Sequence, residues 1–206
     1  MSLIKLNNRA VKDVTQFGSI SSLGSMIFIK KLTASASATL CFVDGSDGVV
    51  LDDTYKEYLF TFKDIHPATD GSDFEFNMST DSGSNYNVTK TTTLFDPIHG
   101  EDGSNAGIAY SGSRDLAQGT GFQDLMGSVG SDNDQSGSGY LHLFNPSSDI
   151  FVKHFIARTH YSHSGNYALS MFIAGYGNTS SSIDAIRFAM SSGNIDAGDI
   201  CLYGIA

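Results

Sequence analysis

Positive charge is scarce in this chain. Lys and Arg together number 12 against 22 Asp and Glu, a formal net charge of −10, and all charged residues make up only 17% of the sequence, where about a quarter is usual. An acidic surface repels phosphate backbones and anionic headgroups, so nucleic acid and membrane surfaces are excluded as partners. The basic stretches, Lys30-Lys31 and the few cations between Lys5 and Lys12, are too short to reverse that. Long apolar runs are missing too, since nothing approaches the ~18 continuous residues of a membrane span. The opening Met1-Ser-Leu-Ile-Lys-Leu6 lacks the apolar stretch of a secretory signal, and the expectation is synthesis in a cytoplasm. Cysteine is limited to Cys41 and Cys201, neither in a CxxC pair, which excludes zinc fingers and redox motifs. The two could meet if the first and last strands of a sandwich lie close, but cytoplasmic synthesis favours reduced thiols.

Catalytic signatures are also lacking. There is no GxxxxGK[ST], no GxSxG elbow and no HExxH, and Gly119-Thr-Gly121 has neither a third glycine nor a preceding strand. No spacing of Ser, His and Asp suggests a poised base, so the expectation is a non-enzyme without cofactor. His154 and His160 would share a strand face but stand about 20 Å apart by strand rise, too far to share an ion within one chain. His160 and His163 could cluster on a trimer axis or remain solvent histidines. Asp132-Asn-Asp-Gln-Ser-Gly137 opens like a calcium loop, but Leu143 stands where a bidentate Glu is required, and Asp44-Gly-Ser-Asp-Gly48 reads as a hairpin turn. The expectation is no metal site.

What the chain has is alternation of period two. Tyr58, Phe60 and Phe62 alternate with Glu57, Thr61 and Lys63, and Phe74, Phe76 and Met78 alternate with Asp73, Glu75 and Asn77. Similar runs hold Leu40 and Phe42, Leu141 and Leu143, residues 150–161, Leu169 to Ile173, and Ile186 to Met190. With glycine at 22 positions and proline at 3, turns are made by glycine, as in Ser192-Gly193-Asn194. About eight to ten short strands with no βαβ spacing imply an all-β, antiparallel sandwich, most simply a jelly roll. Phe42, Phe60, Phe62, Phe76, Leu169, Met171, Phe188 and Leu202 are its expected core. The closing strand, Ile200-Cys-Leu-Tyr203, must pair inside a sheet to avoid fraying. Residues 96–139, rich in Gly, Ser, Asp and Asn, break the rhythm. They read either as a long excursion with a short helix or turn near residues 113–126, packed on the rim, or as a disordered loop.

Three C-terminal segments, Ala185-Ile-Arg-Phe188, Ser192-Gly-Asn-Ile195 and Leu202-Tyr-Gly-Ile205, resemble the C-terminal region of virion surface proteins of marine tailed phages, found in tail fibres, head fibres and capsid decoration. Tyr58-Leu-Phe-Thr-Phe62, Pro67-Ala-Thr-Asp-Gly71 and Ser82-Gly-Ser-Asn-Tyr86 are similar to the family's central strands, and residues 96–139 match it least. The resemblance implies a β-sandwich that assembles as an oligomer, often a trimer, in a virion after synthesis in the host cytoplasm. Its partners would be other virion proteins. Capsid and tail both remain open as its location.

Two sets of residues are candidates for contact. Residues 1–14 hold Leu3, Ile4, Lys5, Leu6, Arg9 and Lys12, an apolar and basic set on an acidic body. They suit either an attachment arm for an acidic partner or the first strand of the single domain that spans residues 15–206. Tyr161, Tyr167 and Tyr176 border amide-rich loops and could stack on sugar rings, including a host surface glycan, or pack in the core and rim. A carbohydrate-binding module or lectin-like protein is the alternative function.

Overall fold

In the computed structural model, residues 25–206 are described, and the candidate arm, residues 1–14, lies outside them. Twelve strands and no helix occur among the described residues. They are β1 (Met26–Ser37), β2 (Thr39–Val43), β3 (Glu57–Pro67), β4 (Ser72–Ser79), β5 (Lys90–Gly100), β6 (Ala106–Tyr110), β7 (Gln123–Val129), β8 (Gly137–Phe144), β9 (Lys153–His163), β10 (Tyr167–Gly177), β11 (Ala185–Met190) and β12 (Ile195–Ile205). Every pairing is antiparallel.

The strand order resolves into two layers. One runs β6-β5-β10-β9-β8-β3-β12-β1, the other β7-β4-β11-β2, and a single pair, Val129 with His163, joins them. Strands β1, β12, β3 and β8 against β2, β11, β4 and β7 make the two four-stranded sheets of a jelly roll. The hairpins β5–β6 and β9–β10 are insertions, the first between β4 and β7, the second between β8 and β11. They pair with one another through β5 and β10 and so widen the first sheet.

The core follows from strand parity. Odd residues of β9 from Lys153 to Tyr161 are buried and even ones exposed, the pattern of a strand with one face on the core. All eight expected core residues are buried. Phe188 is the hub, fully buried, with ring centroids 5.3 to 6.4 Å from Phe42, Phe60, Phe62, Phe74 and Phe76. These rings come from both layers and interlock mainly edge to face, the arrangement favoured by the aromatic quadrupole. Strand β12 lies between β1 and β3, as the closing strand required. The turn into it places Gly193 at φ 72°, where an added Cβ would also meet Thr69 Oγ1 at 2.3 Å.

The Gly/Ser/Asp-rich stretch is an excursion, but an ordered one. It contains the end of β5, all of β6 and β7, and the start of β8. The short helix or turn expected near residues 113–126 is corrected in part: residues 123–126 are strand, with Leu125 and Met126 fully buried. Antiparallel pairing to β4 satisfies their backbone groups inside the sandwich, which a lone helical turn on the rim could not do. Cys41 and Cys201 are free. They lie on β2 and β12, in different layers, each alternating with core-facing neighbours, so each thiol faces away from the interior and from the other.

Candidate functional site

The widened first sheet has an outer face unlike the rest of an acidic, hydroxyl-rich molecule. Its register aligns Tyr110, Phe95, Phe172, Arg158 and Tyr140 in one row across β6, β5, β10, β9 and β8. The next row carries Thr93, Ala174, Ile156 and His142, and continues through Leu59 and Tyr203 to Phe28 on β1. Phe95 and Phe172 stack with centroids 4.8 Å apart, and the Arg158 guanidinium lies 4.6 Å from the centre of the Phe172 ring. On the far side Tyr140, His142 and Phe144 form a second aromatic ridge, with centroids 5.6 and 5.9 Å apart.

Between the ridges runs a trough. Thr93, Ala174 and Ile156 floor both of its connected hollows, of about 450 and 290 Å³. His154 and Tyr176 border the first, and Tyr140 and Arg158 the second. The floor is low because Ala174, the outward-facing residue of β10 between Phe172 and Tyr176, has little side chain to fill it. Ile156 is 50% exposed, Phe95 41% and Phe28 56%. A contiguous exposed apolar face marks an interaction surface. The rows through Phe172, Ala174 and Tyr176 hold three charged side chains, Arg158, Lys31 and Glu57, whereas the chain as a whole carries −10.

A second, polar site lies under the β5–β6 hairpin, where it overhangs β7. A cleft of about 340 Å³ is lined there by Asp96, Ile98, Arg114, Tyr161 and His163, among others. Arg114 Nη1 donates to Asp73 Oδ1 at 2.8 Å and to Asp124 Oδ2 at 2.6 Å. Gly127 makes room for it, since a Cβ there would sit 2.4 Å from the guanidinium carbon. Burial works against the Arg114 charge, but its bonds to Asp73 and Asp124 overcome that and raise its pKa. Burial, then repulsion from Asp73, raises Asp124 against the opposing pull of Arg114. Glu75 faces Asp124 across the β4–β7 pair; burial and the charges of Asp124 and Asp73 push its carboxyl up to about 7. Burial also raises Asp96 and lowers His163.

The three candidate tyrosines do not come together. Tyr161 is corrected as a glycan contact: it is 2% exposed and its hydroxyl accepts the Gly127 N–H at 2.8 Å. It shares the inward parity of Phe155 and Ala157, and its hydroxyl satisfies a buried backbone donor. Tyr167, at the start of β10, packs edge-on to His163. Tyr176 lies nine residues on, about 30 Å along the strand, where it borders the trough beside His154. Leu3, Ile4, Lys5, Leu6, Arg9 and Lys12 fall outside the described residues. Among the described residues no three His, Cys, Asp or Glu converge as metal ligands, and Asp132 forms a local turn with Gln135.

Sequence reasoning missed both sites. Arg114 did carry a signal: it is the sole Lys or Arg between Lys90 and Lys153, in a stretch full of Asp. A lone cation in such company suggests an internal ion pair. The outer-face aromatics carried none, because Phe95 and Phe172 lie on strands far apart in the sequence and only the β5–β10 register stacks them. No protein-family model, curated protein or solved structure matches the chain.

Proposed function

We propose that this chain is a non-enzymatic structural protein of a tailed-phage virion, on the capsid surface as decoration or head fibre, or in the tail fibre. In this reading it assembles with copies of itself, as a trimer by the resemblance, and with other virion proteins. The observation that carries the reading is the aromatic outer face of the widened sheet. Copies of a chain of net charge −10 repel one another everywhere except where negative charge is lacking, and that face is such a place. The segments that resemble marine phage surface proteins fall on β3, β11 and β12, on the turns that follow β3 and precede β12, and on the connection from β4 to β5. Mass spectrometry of purified particles tests the proposal. The chain should be present in them, at high copy number for a capsid protein and at a few copies for a tail protein. Its absence from particles would remove the virion assignment.

The trough favours a second reading, a carbohydrate-binding module or lectin-like protein that meets a host surface glycan. Aromatic ridges offer stacking surfaces for sugar rings, and Thr91, Thr93, His154 and Tyr176 offer hydroxyl and imidazole partners along the floor. A free module would be monomeric and would gain melting temperature with added sugar in proportion to ligand saturation. An assembly protein would do neither.

A further inference from the structure

Two lysines are wholly buried, and they are partnered differently. Lys90 opens β5 and Lys153 opens β9, and both pair with Gly177 of β10 at one end of the sandwich. Lys153 Nζ donates to three carbonyls, those of Ser148 at 2.6 Å, Phe151 at 2.8 Å and Thr179 at 3.3 Å. That uses all three hydrogens of an ammonium group. Lys90 Nζ has two acceptors, Asn77 Oδ1 at 2.5 Å and the Val88 carbonyl at 2.8 Å, and both are neutral. Two acceptors match the two hydrogens of an uncharged amine and leave its lone pair free. Burial alone pushes Lys90 down to about 8, so a substantial share of neutral amine is present near pH 7 to 8.

The carboxamide it touches is held from both ends. Asn77 is fully buried. Its Oδ1 also accepts the Met78 N–H at 2.9 Å, and its Nδ2 donates to the Thr120 carbonyl at 3.0 Å. A backbone N–H on the carbonyl oxygen polarises the carbon and stabilises negative charge that develops on that oxygen. A desolvated amine is the nucleophile such a carbon requires.

We propose that Lys90 and Asn77 are a self-modification site, joined by an intramolecular isopeptide bond. The Lys90 amine attacks Cγ of Asn77, forming a C–N bond and placing negative charge on Oδ1, which the Met78 N–H receives. The attacking nitrogen loses a proton and Nδ2 gains one. The Cγ–Nδ2 bond then breaks, releasing ammonia and restoring the carbonyl as a secondary amide. No oxidant or reductant is involved. Glu75, on the same face of β4 about 6.6 Å earlier by strand rise, is a carboxyl able to carry that proton, since it exchanges near neutrality. The product is a covalent staple between β4 of one layer and β5 of the other. It would anchor the inserted β5–β6 hairpin, whatever the assembly the protein serves.

Intact mass spectrometry of the purified full chain reads the reaction directly. The expected mass is ~17 Da below that of the sequence, the loss of one ammonia, and the loss should vanish in Lys90→Met and in Asn77→Ala. Chymotryptic cleavage after Phe76, Tyr86 and Leu94 separates the two residues, so the unsubstituted protein alone should give one branched peptide containing both. A mass equal to that of the sequence, two separate peptides, or an ammonia loss that persists in Lys90→Met, as an internal succinimide would, overturns the proposal.

Discussion

Replacing Phe188 by Ala should be among the most damaging single changes in this molecule. The ring is fully buried and meets five other phenyl rings carried on β2, β3 and β4. Deleting a buried Phe side chain costs about 3–5 kcal/mol, more where the surroundings cannot collapse into the space. Here they cannot readily do so, because the neighbouring rings are fixed on strands of both layers and already pack against one another. We therefore expect about 4–5 kcal/mol, which for a chain of this length lowers the melting temperature by roughly 8–20 °C. Phe172 is the matched control. It is also an aromatic strand residue, but it stacks on Phe95 on the outer face, and its loss from an isolated subunit should cost about 1 kcal/mol or less. Urea titrations of both variants at equal, low protein concentration supply the comparison, with unchanged slopes guarding against altered cooperativity. A Phe188→Ala loss under about 1.5 kcal/mol, or a Phe172→Ala loss as large, would refute the assignment of inner and outer faces.

Two further outcomes follow from the polar groups. Glu75 holds its proton up to about 7 in the fold against 4.5 unfolded, so the folded chain binds the extra proton in that window and stability falls as pH rises through it. Measured in Lys90→Met, where no staple can form, Glu75→Gln should raise the melting temperature at pH 8 and remove that part of the decline; a lower melting temperature at pH 8 would contradict the repulsion from Asp73 and Asp124. Cys41 and Cys201 face outward from opposite layers, and packed sheets stand ~10 Å apart, more than the ~7 Å Cα separation a disulfide allows. A thiol reagent should therefore titrate both after denaturation under non-reducing conditions, and finding neither would contradict the layer assignment.

The sheet layout was legible because its strands alternate cleanly. In β3 and β4 the apolar residues Tyr58, Phe60, Phe62, Phe74 and Phe76 all share one parity, and the charged Glu57, Lys63, Asp73 and Glu75 take the other. Where both parities carry apolar groups, legibility failed. In β9, Phe155, Ala157 and Tyr161 face inward while Ile156 faces out, so period alone did not say that Tyr161 was core and Ile156 surface. Residues 106–129 were obscured differently: β6 and β7 are glycine-bearing, β6 is exposed along its whole length and so shows no alternation of burial, and β7 pairs with the distant β4, so no local pattern announces them. The Lys90–Asn77 contact joins two loop-separated strands, and nothing in the spacing of the two residues distinguishes it from chance.

The central claim, that copies of the chain meet through the aromatic outer face, is tested most directly by light scattering of the purified protein beside Ile156→Asp. Ile156 floors both hollows of the trough and is half exposed, so a carboxylate there adds charge to the interface without entering the core. The account predicts a multiple of 22.0 kDa for the unsubstituted chain and 22.0 kDa for the variant, with the same strand-rich circular dichroism spectrum. A stable monomer before substitution, or an assembly that survives it, would contradict the claim.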